Sequence, residues 1–201
     1  MGGWRGTVYS LHPGYAMEES SRDNLIKRTG KSLEEWVRIV LANGPAEGGG
    51  SRREWLKSAH GFTTNYAMWV VERAAGRGAP EEYDPAALVD AMFAGPKSAL
   101  RPLYDRLLGL GLAMGDDVQA CPCATIVPLY RRHVFAQIKP TTRTRIDLGF
   151  ALKGMETAPR LIDTGGAAKG DRITHRIPIE CAEQIDDDVN RWLRIAYERD
   201  V

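Results

Sequence analysis

Apolar and polar positions change their period along the chain: helical spacing holds through Met114, strict alternation takes over from Ile126 to Leu152 and again near Ile173, and helical spacing returns at the end. In the first part the spacing predicts a helix over 18–28. A second begins after Ser32, which stands three residues before Glu35 as in a capping box, and carries Leu33, Trp36, Val37, Val40 and Leu41 to Asn43 and Gly44. Helices over 52–59 and 65–75 follow, joined by a turn at His60, Gly61 and Phe62. Asp84 before Pro85 reads as an N-cap with proline in the first turn, opening a helix with Leu88, Val89, Met92 and Phe93. Gly95 and Pro96 stop it, and a longer amphipathic helix is expected over 97–114.

The alternating region predicts strands over 124–130, 134–139, 145–152 and 173–179. In the third, Ile146, Leu148, Phe150 and Leu152 take one face while Arg145, Asp147, Gly149 and Ala151 take the other. A last helix over 182–199 aligns Ile185, Val189, Trp192, Leu193, Ala196 and Tyr197 in one stripe. Short links between consecutive strands imply a mainly antiparallel sheet flanked by helices, hence an α+β fold behind a small helical N-terminal module. The expected division is 1–78 for the helical module, with a flexible glycine-rich N-terminal arm, and 79–201 for the α+β domain.

Composition narrows the picture without naming a reaction. With 201 residues, 43% hydrophobic and 26% charged, the chain is an ordinary globular one, and 27 Lys and Arg against 26 Asp and Glu give no global charge to attract nucleic acid or an anionic membrane. Charge is distributed unevenly, though: Arg131 to Arg176 holds ten basic residues against four acids, and Ile177 to Val201 three against seven. Three cysteines, no apolar leader and no run of about 20 apolar residues point to the cytoplasm and away from a membrane.

Two runs resemble known families. TGKSLEEW at Thr29 to Trp36, followed by EWLKSAHGFTTNYA at Glu54 to Ala67, resembles the bacterial family DUF4287. AGPKSALRPLYDRLL at Ala94 to Leu108, TIVPLYRRHVFAQIKPTTRTRIDLG at Thr125 to Gly149, RITHRIPI at Arg172 to Ile179 and the tail DDDVNRWLRIAYERD resemble DUF5655. The resemblance implies a bacterial protein in which the helical domain is fused ahead of the α+β domain; it implies no activity.

The candidate chemistry is anion recognition. Lys139, Arg143 and Arg145 flank one turn, Arg131, Arg132 and His133 form another, and Arg172 and Arg176 enter the last strand, so planar guanidinium forks could gather on a phosphate or carboxylate. The bland alternative is cross-strand pairing of Arg145 and Arg176 with Asp147 and the acidic C-terminal helix. His175 falls in the apolar phase and reads as a core histidine. The glycine-rich segment 163–171 lacks the Lys-Ser/Thr of a phosphate loop, since Gly170 precedes Asp171, but Gly165, Gly166 and Lys169 could lid a ligand. Cys121 and Cys123 lack a second matching pair, so neither metal nor cofactor is expected. None of the seven lysines has an acid two positions before it, as a restriction-type nuclease site would require. The helix pair 52–59 and 65–75 outlines a helix-turn-helix, but its outward Asn65, Met68, Glu72 and Arg73 offer too little positive charge for phosphates.

The expectation is therefore a non-enzymatic binding or regulatory module for an anionic partner, nucleic acid or a small phosphorylated or carboxylated ligand, held by Arg131, Arg132, Lys139, Arg143, Arg145, Arg172 and Arg176. The alternatives are an enzyme with a site between the domains using Asp147, His175 or Tyr130, and a protein-interaction adaptor presenting Trp4, Trp36, Trp55 and Trp69.

Overall fold

The computed structural model describes residues 8–46, 49–77 and 83–201, which form two compact units: residues 11–83, and residues 84–201 together with 8–10. Trp4 and residues 78–82, around the expected domain boundary, lie outside the described residues.

The first unit is helical. It comprises α1 (Pro13–Thr29), α2 (Leu33–Asn43), α3 (Gly49–His60) and α4 (Thr64–Ala74). Helix α1 starts earlier than the periodicity suggests because His12 caps it, its ring accepting from the Gly14 amide, and Pro13 presets the first turn. It ends at Gly30, whose φ of 72° is a left-handed conformation open to glycine. The Ser32–Glu35 capping box forms in both directions. Helices α2 and α3 pack on α4 around Trp36, Val40, Leu56, Phe62 and Val70, and the Trp36 indole donates to the Thr29 hydroxyl at 2.8 Å.

The second unit carries the sheet. Helix α5 (Pro85–Met92) is capped by Asp84 as expected. The single helix expected over 97–114 is instead a 3-10 helix (Gly95–Leu100) followed by α6 (Arg101–Leu112). Pro102 explains the break, since it lacks the N–H that a continuous helix would donate back to Ser98. Six strands follow: β1 (Gln119–Ala120), β2 (Val127–Tyr130), β3 (Val134–Pro140), β4 (Ile146–Phe150), β5 (Ile162–Asp163) and β6 (His175–Ile179). All pairings are antiparallel, in the order β1-β2-β3-β4-β6-β5. Strands β1 and β5 and the short α7 (Gly166–Lys169) escape sequence periodicity because none is long enough to show a period. The terminal helix is a 3-10 turn (Ala182–Gln184) and then α8 (Asp187–Glu198), capped by Asp186.

Register assigns the faces. Ile138 opposes Leu148, which opposes Ile177, and Ala136, Phe150, Ile146 and Ile179 share that side, all fully buried beneath α6 and α8. Gln137, Lys139, Asp147, Gly149 and Arg176 take the other side. There a Cβ on Gly149 would meet Ile173 Cγ2 at 2.7 Å and Gln137 Cγ at 3.0 Å, so this position lets neighbouring side chains close over the strand. The N-terminal arm is tied down where it is described: Tyr9 bridges Ala120 in parallel, the Ser10 amide donates to the Ala120 carbonyl, and the Tyr9 and Tyr104 hydroxyls meet at 3.0 Å.

Candidate functional site

A cleft of about 530 Å³ opens where the end of α5 and the following 3-10 helix meet the β1–β2 loop and the β3–β4 turn. Its apolar lining comes from Ala91, Met92, Ala94, Pro96 and Pro140, and its charge from Lys97, Lys139 and Arg143. Lys97 Nζ donates to the Pro140 carbonyl at 2.7 Å, tying the 3-10 helix to the end of β3 and leaving two ammonium protons unspent. Lys139 and Arg143 are exposed, and among the described residues none of the three cations has an acidic partner.

Directly behind this rim sits Asp147, nearly buried with 12% of its side chain exposed. It is the register partner of Lys139. Its Oδ1 accepts from Arg176 Nη1 at 3.0 Å and lies 3.0 Å from Arg145 Nε, an ion pair without a hydrogen bond. Its Oδ2 accepts from the Thr141 hydroxyl at 2.8 Å. The carboxylate thus anchors the turn that carries Arg143, since the Thr141 and Thr142 amides also donate to the Arg145 carbonyl.

The seven cations singled out in the sequence therefore do not form one rim. Lys139, Arg143, Arg145 and Arg176 gather around Asp147 toward the β3–β4 end. Arg131, Arg132 and Arg172 gather at the β2–β3 end, separated by β3, whose seven residues span roughly 20 Å. At that end Arg131 and Arg172 are spent internally, while the exposed Arg132 is tied in by its backbone amide alone. Arg131 Nε donates to Asp117 at 2.9 Å and its guanidinium lies 4.4 Å over the Tyr197 ring; Arg172 pairs with Asp200 and donates to the Val134 carbonyl. Asp200 is buried and also accepts from the Arg132 and His133 amides at 3.1 and 2.8 Å and meets His133 Nδ1 at 3.1 Å.

Family comparison places these geometries on a known domain: the model described as Domain of unknown function (DUF5655) matches residues 89–200. The chain belongs to the DUF5655 family. A second model, Domain of unknown function (DUF4287), matches residues 19–76, so a DUF4287 domain precedes the DUF5655 domain. No curated protein and no solved structure matches.

Within the DUF5655 domain the other candidates separate. His175 is buried on the apolar face beside Phe150, its Nδ1 2.9 Å from the Thr174 hydroxyl, whereas Asp147 occupies the opposite face. Cys121 is buried and its thiol is pushed up to about 12 by burial, Cys123 is raised for the same reason, and Cys181 is exposed. Burial, then the neighbouring Cys121 and Cys123, also raises Tyr130 to about 12. Among the described residues no group of His, Cys, Asp and Glu could hold a metal, and no helix is long and apolar enough to cross a membrane. In the glycine-rich segment, a Cβ on Gly166 would lie 2.5 Å from the Ile173 carbonyl, so that glycine serves close packing of the segment against the chain entering β6. In the DUF4287 domain Trp36 is buried while Trp55 and Trp69 are half-buried against the core.

Sequence reasoning missed Lys97, Thr141 and Asp200. Lys97 lies 43 residues from the carbonyl it meets, and Asp200 reads as a solvated tail until α8 brings it to the β2–β3 turn. No local signal marks either.

Proposed function

We propose that the DUF5655 domain is a non-enzymatic binding module whose cleft takes a small anion, a carboxylate or phosphate carried on an apolar body. The carrying observation is the convergence of Lys97, Lys139 and Arg143 over an apolar lining with no acid to neutralise them among the described residues. The volume falls in the range of small-molecule sites, roughly 300–1,000 Å³. A small anion is favoured over nucleic acid because the other arginines of the domain are largely engaged: Arg101 with Asp90 and Asp105, Arg131 with Asp117, Arg160 with Asp186 and Arg172 with Asp200. That leaves a concave patch rather than an extended track of phosphate contacts. A binding role is favoured over catalysis because both oxygens of Asp147, the carboxylate that accepts from Thr141 at the cleft rim, are already occupied by cations and a hydroxyl.

Isothermal titration of the full chain with phenyl phosphate tests this. Binding is expected, tighter than for inorganic phosphate, with Lys139→Ala or Arg143→Ala weakening it about tenfold, the scale of one charge-assisted hydrogen bond. Filter binding of short nucleic acids across a salt series is expected to give only weak, salt-steep retention. Absence of phenyl phosphate binding, or tight nucleic-acid binding unaffected by Lys139→Ala, would overturn the proposal.

A further inference from the structure

Resting on that proposal, we infer that the ligand carries two adjacent acidic groups, as a diphosphate does: the first held by the cleft rim and the second by the guanidinium groups of Arg145 and Arg176. Two cations, Arg145 and Arg176, contact the carboxylate of Asp147, and a third, Lys139, stands opposite it in the β3–β4 register on the same face of the sheet. Asp147 cannot neutralise them, because Oδ1 is shared by the two arginines and Oδ2 is taken by Thr141. The local surplus is two positive charges, and the half-buried Arg145 and Arg176 side chains lie where a counter-ion is screened less than on open surface.

The donors are there as well. Each guanidinium has five N–H groups in a planar fork. Arg176 spends only Nη1 on Asp147, and Arg145 meets the same oxygen through its buried Nε, which leaves Nη1 and Nη2 of Arg145 and Nη2 and Nε of Arg176 as donors. A carboxylate serving purely to staple the sheet would be matched by one arginine in fork geometry; here two arginines share a single oxygen and keep most of their donors.

Lys139 connects the two subsites. It lines the cleft and stands opposite Asp147 in the β3–β4 register, where paired side chains begin roughly 5 Å apart. A cation on a residue that both lines the cleft and pairs in register with Asp147 suits two acidic groups that are close neighbours, and Asp147 then acts as a positioning residue that splays the two guanidinium groups.

The test is titration calorimetry of the full chain with inorganic pyrophosphate and inorganic phosphate. Pyrophosphate is expected to bind at least about tenfold more tightly. Arg176→Gln is expected to abolish that preference by weakening pyrophosphate at least about tenfold more than phosphate, and Lys139→Ala to weaken both anions. Arg145→Gln repeats the test where Arg176→Gln lowers the thermal midpoint enough to confuse the comparison. Equal affinity for the two anions, or a preference that survives both arginine substitutions, overturns the two-group inference and leaves the cleft proposal standing. Failure of phosphate, pyrophosphate and phenyl phosphate alike overturns the cleft proposal and this inference with it.

Discussion

Asp200 shows how much depends on single buried acids. It is the penultimate residue, yet it is buried and holds the β2–β3 turn through two amides, one imidazole and one guanidinium. Asp200→Asn would leave charge-assisted donors poorly matched in a buried site, and about 2–4 kcal/mol of stability should be lost in urea denaturation. Arg172→Ala removes a partner that is 47% exposed, so its cost should stay near 1 kcal/mol. Proton affinities set the stable pH window. The hydrogen bond from Arg131, then that from Tyr197, lowers Asp117 below the usual carboxylate range, so its contribution is present above the unfolded value near 4 and is lost as pH falls through the folded one. Cys121 has the opposite sign: burial raises it to about 12, so its contribution is full below the unfolded value near 8.5 and fades as pH climbs toward 12. Denaturation midpoints should therefore form a plateau near neutrality with losses at both ends. Alkylation followed by mass spectrometry should label exposed Cys181 quickly and buried Cys121 only on unfolding.

At the scale of elements, close approach constrains sequence more than propensity does. Gly111 lies in α6 where a Cβ would meet Leu129 Cδ1 at 2.3 Å, so Gly111→Ala should destabilise by about 1–3 kcal/mol although alanine is the better helix former; a thermal midpoint equal to wild type would refute the contact. The elements with long periods and local caps were legible in the sequence: α2 through Ser32 and Glu35, α5 through Asp84 and Pro85, β4 through its alternation. Those with two residues of pairing were not, because β1 and β5 exist only by virtue of the strands they join. The candidate site divides the same way. Lys139, Arg145 and Arg176 were visible as basic positions near turns and strands, and Asp147 as the cross-strand acid that two of them meet. Which cations share an end of the sheet depends on strand order and register, and that is why a single rim was expected where Arg131 and Arg172 in fact serve Asp117 and Asp200.

Across the whole molecule, two separate apolar cores, one in the helical unit and one beneath the sheet, give each unit its own source of stability. Positive charge is nearly balanced overall and mostly paired locally within the second unit, so the rim of Lys97, Lys139 and Arg143, with the Arg145–Asp147–Arg176 array behind it, stands out as the place where charge awaits a partner. The most direct measurement is a map of amide chemical-shift changes when the full chain is titrated with pyrophosphate. The account predicts shifts concentrated at residues 94–97, 124–125, 139–147 and around Arg176. Shifts centred on 131–133, Arg172 and Asp200, or no saturable change anywhere, would contradict it.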